Sequence, residues 1–396
     1  MEQSALARYG RVSQAARLLG WLFALALAGA AALTAPSPPE GVRIIVLDVG
    51  QADATLVLSP SGQSIVIDAG EDDDDGESIL RLLQAARRTH LDYLLVTHYH
   101  RDHLGGADKL LKGLGREKVG SVLDPGIPAH LQPGNNDYGR YVRAAGDPNN
   151  TGHAGKRRAI HSGEILDLGS LRARCVVVNG EVDDCGSASD VPLNLASREH
   201  ANARSIGLLL TCAEFEYLTC GDITSSERNA SKSGNEPGIE GALLAANALY
   251  NTSLTPPDRR AEDDSQVDVY HVNHHGSDTS SGPAFVRALR PQVAIISCRG
   301  TEHPNSVYRH PRPDVLALLD EVGARTYLTG PGNISPGDYS LGAAFWHLPT
   351  SVHLDQGDLC IEVTPEGDKY RVCPQRGEPS EEFRADLPPT PTSNPT

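Results

Sequence analysis

From about residue 42 the chain reads as short apolar runs separated by turn residues. "VRIIVLDVG", "DATLVLS" and "QSIVIDAG" have the length and apolar content of strands, with the turn signal "SPSGQ" between the last two. "ESILRLLQAARRT" spaces its apolar residues for one helical face. "LDYLLVTH" predicts a buried strand, and "GGADKLLKGLG" a helix stopped by glycine. Residues 124 to 160 are rich in Gly, Asn and Pro and predict a long surface loop. Strands resume with "EILDLGS", "RARCVVV", "RSIGLLLTC" and "FEYLTCGD". The helix "IEGALLAANALYN" comes next, then the strands "VDVYHV" and "VAIIS" and the helix "RPDVLALLDEVG". "SVHLDQ", "LCIEVT" and "KYRVC" close the series. No internal repeat interrupts it. Mixed order through both halves predicts an α+β chain with two sheets flanked by helices, not a β-sandwich or a helical bundle.

The ends read differently. Arg8, Arg11 and Arg17 precede the apolar run "LLGWLFALALAGAAALTA", which ends in small residues before "PSPPEG". That order predicts a signal peptide over residues 1–35, with an uncleaved anchor as the alternative. A Pro-rich linker over 36–41, one domain over 42–373 and a disordered tail over 374–396 complete the expected organisation. The folded part is then extracytoplasmic, secreted or periplasmic. Seven cysteines suit that compartment. Three intervals, Cys175–Cys185, Cys212–Cys220 and Cys360–Cys373, each read as one hairpin that a disulfide could close, with free thiols as the competing reading and Cys298 left over.

A net charge of -16 argues against a domain that grips nucleic acid through a broad basic face. "GKRRAIH" is the local basic stretch that could offset this, and "EDDDDG" reads as a solvated loop.

The chemistry concentrates in "THYHRDH". His98 and His100 share one side of an extended segment, while Asp102 and His103 follow where the chain turns. So many imidazoles with a carboxylate are costly to desolvate unless they hold a cation, and the set suits zinc, iron or manganese. Asp222, in "YLTCGDI", is the carboxylate placed to bridge two ions. His274 and His275, in "YHVNHHGSDTSS", supply further nitrogens just after a strand. Two such cations, about 3.5–4 Å apart, can activate water and clamp the attacking and leaving oxygens. The chain has no Gly-x-Ser-x-Gly elbow, Walker loop or dinucleotide fingerprint to suggest other chemistry.

"THYHRDH" resembles the His-x-His-x-Asp-His signature of the metallo-β-lactamase superfamily. "LDVGQADATLV", "VIDAG", "YLTCGDI", "HHGSDTSS" and "AIISCRGTEHPNSVYRHPRPDVLALL" resemble, in order, segments of the C-terminal hydrolase domain of ComEC-type DNA-uptake proteins. The likeness runs from about Val42 to Gly330. It implies a four-layer αββα sandwich with two metals between the sheet edges, zinc expected and manganese or iron as alternatives. His98, His100, Asp102, His103, Asp222 and one of His274 and His275 are the implied ligands, Asp102 and His275 acting also in catalysis. His310, Ser277 and Asn305 are implied to hold an anionic substrate, or in His310 to protonate a leaving group. A further histidine ligand usual in the superfamily finds no motif match here, with His153 and His161 as candidates. ComEC-type proteins carry many membrane-spanning helices. This sequence shows none beyond its N-terminal segment, which excludes the channel itself. The expectation is an extracytoplasmic phosphodiesterase or nuclease. The alternatives are a hydrolase of small esters, lactones or amides, and a non-catalytic binding module.

Overall fold

The apolar runs build two large mixed sheets in the computed structural model, which describes residues 40–126, 134, 136–146, 156–183, 191, 193, 200–229, 238–246, 248–249, 266–299, 310–332, 340–341, 344–345 and 348–385. Across the first sheet the strands are Glu381–Arg384, Lys369–Pro374, Leu359–Val363, Val42–Val46, Ala54–Leu58, Ser64–Ala69, Leu91–Leu95, Val119–Asp124 and Arg157–Ala159. Pairing is antiparallel as far as Ser64–Ala69 and parallel beyond it. The second sheet runs Val352–His353, Arg325–Leu328, Val293–Ile296, Val269–His271, Phe215–Thr219, Gly207–Cys212, Leu171–Val178 and Ile165–Leu168. Its first five strands are parallel and the rest antiparallel.

Side-chain alternation assigns the layers. Ile44, Val46, Ile65, Ile67 and Leu95 of the first sheet meet Leu208, Leu210, Tyr217, Val269 and Ile295 of the second in one buried cluster. The opposite face of the second sheet, with Leu209, Leu218, Tyr270 and Ile296, is covered by Leu243, Phe285, Val286, Leu316 and Leu319 from the helices Ile239–Ala245, Pro283–Leu289 and Pro313–Glu321. Helices Asp73–Ala85 and Ala107–Leu114 pack on Ser64–Ala69 from the far side of the first sheet. Helix, sheet, sheet, helix is the expected αββα sandwich. Each fully buried Leu, Ile or Phe in these clusters contributes ~1.5–3 kcal/mol.

Several boundaries differ from the sequence reading. The acidic run is the start of a helix: Asp72 Oδ1 accepts from the N–H groups of Asp74 (2.9 Å) and Asp75 (3.3 Å), and Asp73 to Asp75 form the first turn. Carboxylates there meet unpaired N–H groups and the positive end of the helix dipole. The expected loop over 124–160 contains the helix Asp137–Ala145, capped by Asn136 Oδ1 accepting from Gly139 N at 2.8 Å. The tail expected from 374 begins inside a strand. Glu381–Arg384 then extends the sheet, with Phe383 stacked on Tyr370 at 5.1 Å and Ala385 buried. Aromatic and β-edge pairing outweighs the polar composition there. Residues 1–39 and 386–396 lie outside the described residues, and with them the expected signal segment. Among the described residues no helix is long and apolar enough to cross a membrane.

The described cysteines are thiols. Cys212 and Cys220 cannot pair: a two-residue turn at Ala213 and Glu214 opposes Cys212 to Phe215, leaving Cys220 at the other end of the hairpin. Cys360 and Cys373 are register partners. They occupy a hydrogen-bonded position, since Gln375 N donates to Asp358 O two residues away (2.8 Å). Cβ atoms at such a position stand farther apart than a disulfide prefers. Cys185 lies outside the described residues.

Candidate metal centre

Parallel strands of both sheets end at the same edge, and the loops beyond their carboxyl ends carry the clustered histidines and aspartates. Ligand sites of sheet proteins favour such edges. Leu91–Leu95 leads into His98 to His103, Phe215–Thr219 into Asp222, and Val269–His271 into His274 and His275. The turn before Asp222 requires glycine: Gly221 has φ +52, and a Cβ on it would lie 2.7 Å from Thr97 Oγ1. His274 and His275 are consecutive left-handed residues, with φ 52 and 54. Each non-glycine residue held there costs ~1–3 kcal/mol, so the surrounding structure has to impose it. His274 N donates to Gly221 O (3.0 Å), joining the two ligand loops.

Asp222 is the centre of the group and is 1% exposed. Its Oδ2 lies 3.6 Å from His98 Nε2 and 3.4 Å from His274 Nε2, while His98 Nε2 and His100 Nδ1 are 3.0 Å apart. Its Oδ1 lies 3.3 Å from His103 Nε2. Asp102 Oδ2 is 3.4 Å from His275 Nε2 and 3.9 Å from His103 Nε2. The carboxylate thus turns one oxygen to His98, His100 and His274, and the other to the position shared by Asp102, His103 and His275. His274 and His275, adjacent in sequence, thus face different groups, His274 Nε2 the Asp222 Oδ2 and His275 Nε2 the Asp102 Oδ2.

The rear nitrogens of the rings are held. His103 Nδ1 meets Asp68 Oδ2 at 2.7 Å, and His275 Nδ1 meets Ser297 O at 3.1 Å. His274 Nδ1 meets Thr279 Oγ1 at 3.0 Å, and His98 Nδ1 meets Thr97 Oγ1 at 3.2 Å. Such outer partners fix ring orientation and tautomer at metal sites. In contrast, Asp53 Oδ1, His103 Nε2, Asp222 Oδ1 and His275 Nε2 are buried with no hydrogen-bond partner among the described residues. Buried polar atoms are normally satisfied, and one ligand atom from each of these four residues lies within 4.8 Å of the others, an arrangement that suits a cation. Two divalent ions fit the donor set, nitrogen and oxygen ligands of borderline hardness.

Electrostatics agree. Burial alone would raise the Asp222 carboxyl, but His274, His103 and His98 hold it well below the usual value. Burial, reinforced by His103, keeps His98 neutral, which suits a ligand nitrogen. His310 is pushed down to about 3 by burial and by His274 and His275, whose ring centroids include one 5.7 Å away at His274. It is therefore a neutral imidazole at physiological pH.

Other expected site residues are placed differently. Ser277 is buried, and its hydroxyl is engaged with Thr279 (3.1 Å), the residue that holds His274. It follows the turn that carries His274 and His275. Asn305 and His153 lie outside the described residues. His161 is exposed in a turn with Glu164 and is not among the residues converging on Asp222, whereas His274 lies near the same Asp222 oxygen as His98. The basic stretch is spent internally. Arg157 is buried against Asp124 (2.6 Å), and Arg158 pairs with Glu164 (3.0 Å). Sequence reasoning missed Asp53 and Asp68. The signal was a lone aspartate just before the buried strand Ala54–Leu58 and another inside the buried strand Ser64–Ala69.

The profile of the Metallo-beta-lactamase superfamily matches residues 47–132, the segment from Asp53 through the histidine cluster. The chain is 26% identical to ComE operon protein 3 of Bacillus subtilis (strain 168) over 303 residues, 72% of this chain and 32% of that protein. It therefore spans about a third of that relative's length. Solved structures similar to it include CmlA, a diiron β-hydroxylase from Streptomyces venezuelae, at 16% identity over 73% of this chain and 52% of that one, TM-score 0.40. MEM-A1, a subclass B3 metallo-β-lactamase from a soil metagenome library, aligns at 17% identity over 60% of this chain and 78% of that one, TM-score 0.33.

Proposed function

We propose that this chain, which has the metallo-β-lactamase fold and resembles ComE operon protein 3, is an extracytoplasmic phosphodiesterase that uses two divalent cations. The observation that carries the reading is the division of Asp222, with one oxygen toward His98, His100 and His274 and the other toward His103, Asp102 and His275. When bound, a pair of cations supplies Lewis acidity to a phosphoryl oxygen and lowers the pKa of water. The chain's own residues do the rest. Asp222 keeps the two positions at a fixed separation. Asp102, the most exposed of the buried set's carboxylates, accepts a proton or hydrogen bond from an attacking water. His310, neutral, donates one N–H to an anionic substrate.

Charge selects the size of substrate. With a net charge of -16 and both arginines of the one basic stretch paired, tight binding of long duplex through counterion release has little to work with. Compact phosphodiesters and nucleic-acid ends need only the local positive charge of the cations. The test is a panel of bis-p-nitrophenyl phosphate, single-stranded DNA and nitrocefin on the metal-loaded protein. Phosphodiester turnover that exceeds nitrocefin turnover and varies little with salt supports the reading. A β-lactam or lactone turned over orders of magnitude faster than every phosphodiester would overturn it.

A further inference from the structure

Asp53 is a member of the cluster that none of the histidine motifs accounts for. It stands at the entry to Ala54–Leu58, and backbone bonds fix it on both sides: its N–H donates to Asp102 O (3.0 Å), and Gly70 N donates to its carbonyl (2.8 Å). Its carboxylate points between three imidazoles. Oδ1 lies 3.4 Å from His271 Nε2 and 3.7 Å from His275 Nδ1, and Oδ2 lies 3.9 Å from His103 Nδ1. Those nitrogens are already engaged. His103 Nδ1 meets Asp68, His275 Nδ1 meets Ser297 O, and His271 Nε2 meets Ser297 Oγ at 2.9 Å. Asp53 Oδ1 is left without a hydrogen bond. It shares that condition with Asp222 Oδ1, His103 Nε2 and His275 Nε2, and one ligand atom from each of these four residues lies within 4.8 Å of the others. An ionised carboxylate buried in this way is very costly without a cation.

We propose that Asp53 is a further ligand at the second cation position, which makes the two positions chemically unequal. The first draws on His98, His100 and His274 with one oxygen of Asp222 and is nitrogen-rich. The second draws on Asp53, Asp102 and Asp222 with His103 and His275 and is oxygen-rich. Carboxylates suit manganese and other hard cations, whereas imidazole suits zinc. The second position therefore discriminates less between Zn2+ and Mn2+ than the first. This rests on the two-cation reading above.

The test titrates the unaltered, metal-free chain with Zn2+ and with Mn2+, alone and in competition, and follows the first and second equivalents by metal analysis. The expected result is a preference for Zn2+ over Mn2+ at least about tenfold smaller for the second equivalent than for the first. The near-isosteric Asp53→Asn replaces the anionic ligand oxygen with a neutral amide, a far weaker donor that gives up its place on the ion. It is expected to weaken the second Mn2+ by about 10–100-fold and leave the first equivalent unchanged. In the Co2+-loaded variant the visible absorption of the second ion intensifies, because loss of a ligand lowers its coordination number. Equal Zn2+ preference at both equivalents, or Asp53→Asn binding two Mn2+ with the wild-type Co2+ spectrum, overturns the assignment of Asp53 alone. Failure of the unaltered chain to take a second ion of any kind overturns the two-cation reading with it.

Discussion

His103 Nδ1 lies 2.7 Å from Asp68 Oδ2, and neither side chain is more than 2% exposed. Asp68 is itself held in the left-handed region, φ 57, and accepts from Thr97 N and Thr97 Oγ1, both at 2.7 Å. One carboxylate at the end of the first sheet thus sets the orientation of a ring whose far nitrogen faces Asp222. Asp68→Asn should keep the fold, because the amide oxygen still accepts from Thr97. It should weaken the second cation by ~10–100-fold, the usual effect of losing such an outer partner. Chelator competition on both proteins checks this, and equal affinities would rule out the orienting role.

The metal-free chain should release protons when it binds metal. Burial alone would lower His275, yet Asp53, Asp102 and Asp222 lift it from 6.5 to about 9. A raised folded-state value adds stability that is fully present below 6.5 and lost as pH rises through about 9. A cation needs the same nitrogen unprotonated, so affinity climbs with pH up to about 9. Calorimetric titration at pH 7 in two buffers of different ionisation heat reads the proton count directly. A count of zero would contradict the charge state assigned to His275.

Tyr99, between two of the histidines, is anchored by a buried network. Its hydroxyl donates to Gly126 O, and its ring packs edge-on against Tyr138 at 4.8 Å. Arg157 lies over Tyr138 and Tyr141 and pairs with Asp124, which also accepts from Tyr141 OH at 2.7 Å. Arg157→Ala leaves Asp124 buried without its cation and should cost about 3–5 kcal/mol. Denaturant unfolding of the two proteins measures it. A loss below about 1 kcal/mol would show that the network is not holding this edge.

Cysteine spacing was misleading for a physical reason. An interval of seven residues between Cys212 and Cys220 suggests a hairpin, and a hairpin is there. The turn sits next to Cys212 instead of midway, so register separates the thiols by the full length of the strands. Non-reducing peptide mapping should find no 212–220 crosslink. Finding one would require a shifted register in this sheet.

Much of the sandwich was legible because buried strands such as "IVIDA" and "LCIEV" announce themselves by apolar runs that hold a single carboxylate each. Most residues of the cluster around Asp222 were legible because "HYHRDH" crowds imidazoles and a carboxylate that are costly to bury without a cation. What stayed hidden depends on contacts distant in sequence. Asp53 and Asp68 acquire meaning only when their strands pair and place both beside His103. The helix inside 136–145 was masked by surrounding Gly and Pro, although Tyr138, Tyr141 and Val142 already share one face.

The most direct measurement is the metal content of the purified chain and of Asp222→Ala after dialysis against limiting Zn2+, with turnover of bis-p-nitrophenyl phosphate read on the same samples. Two ions per unaltered chain, with most of one ion and all turnover lost in the variant, is the expected result. Asp222→Ala with two ions and unchanged turnover would contradict the account, since Asp222 is the carboxylate whose two oxygens face the two sets of histidines.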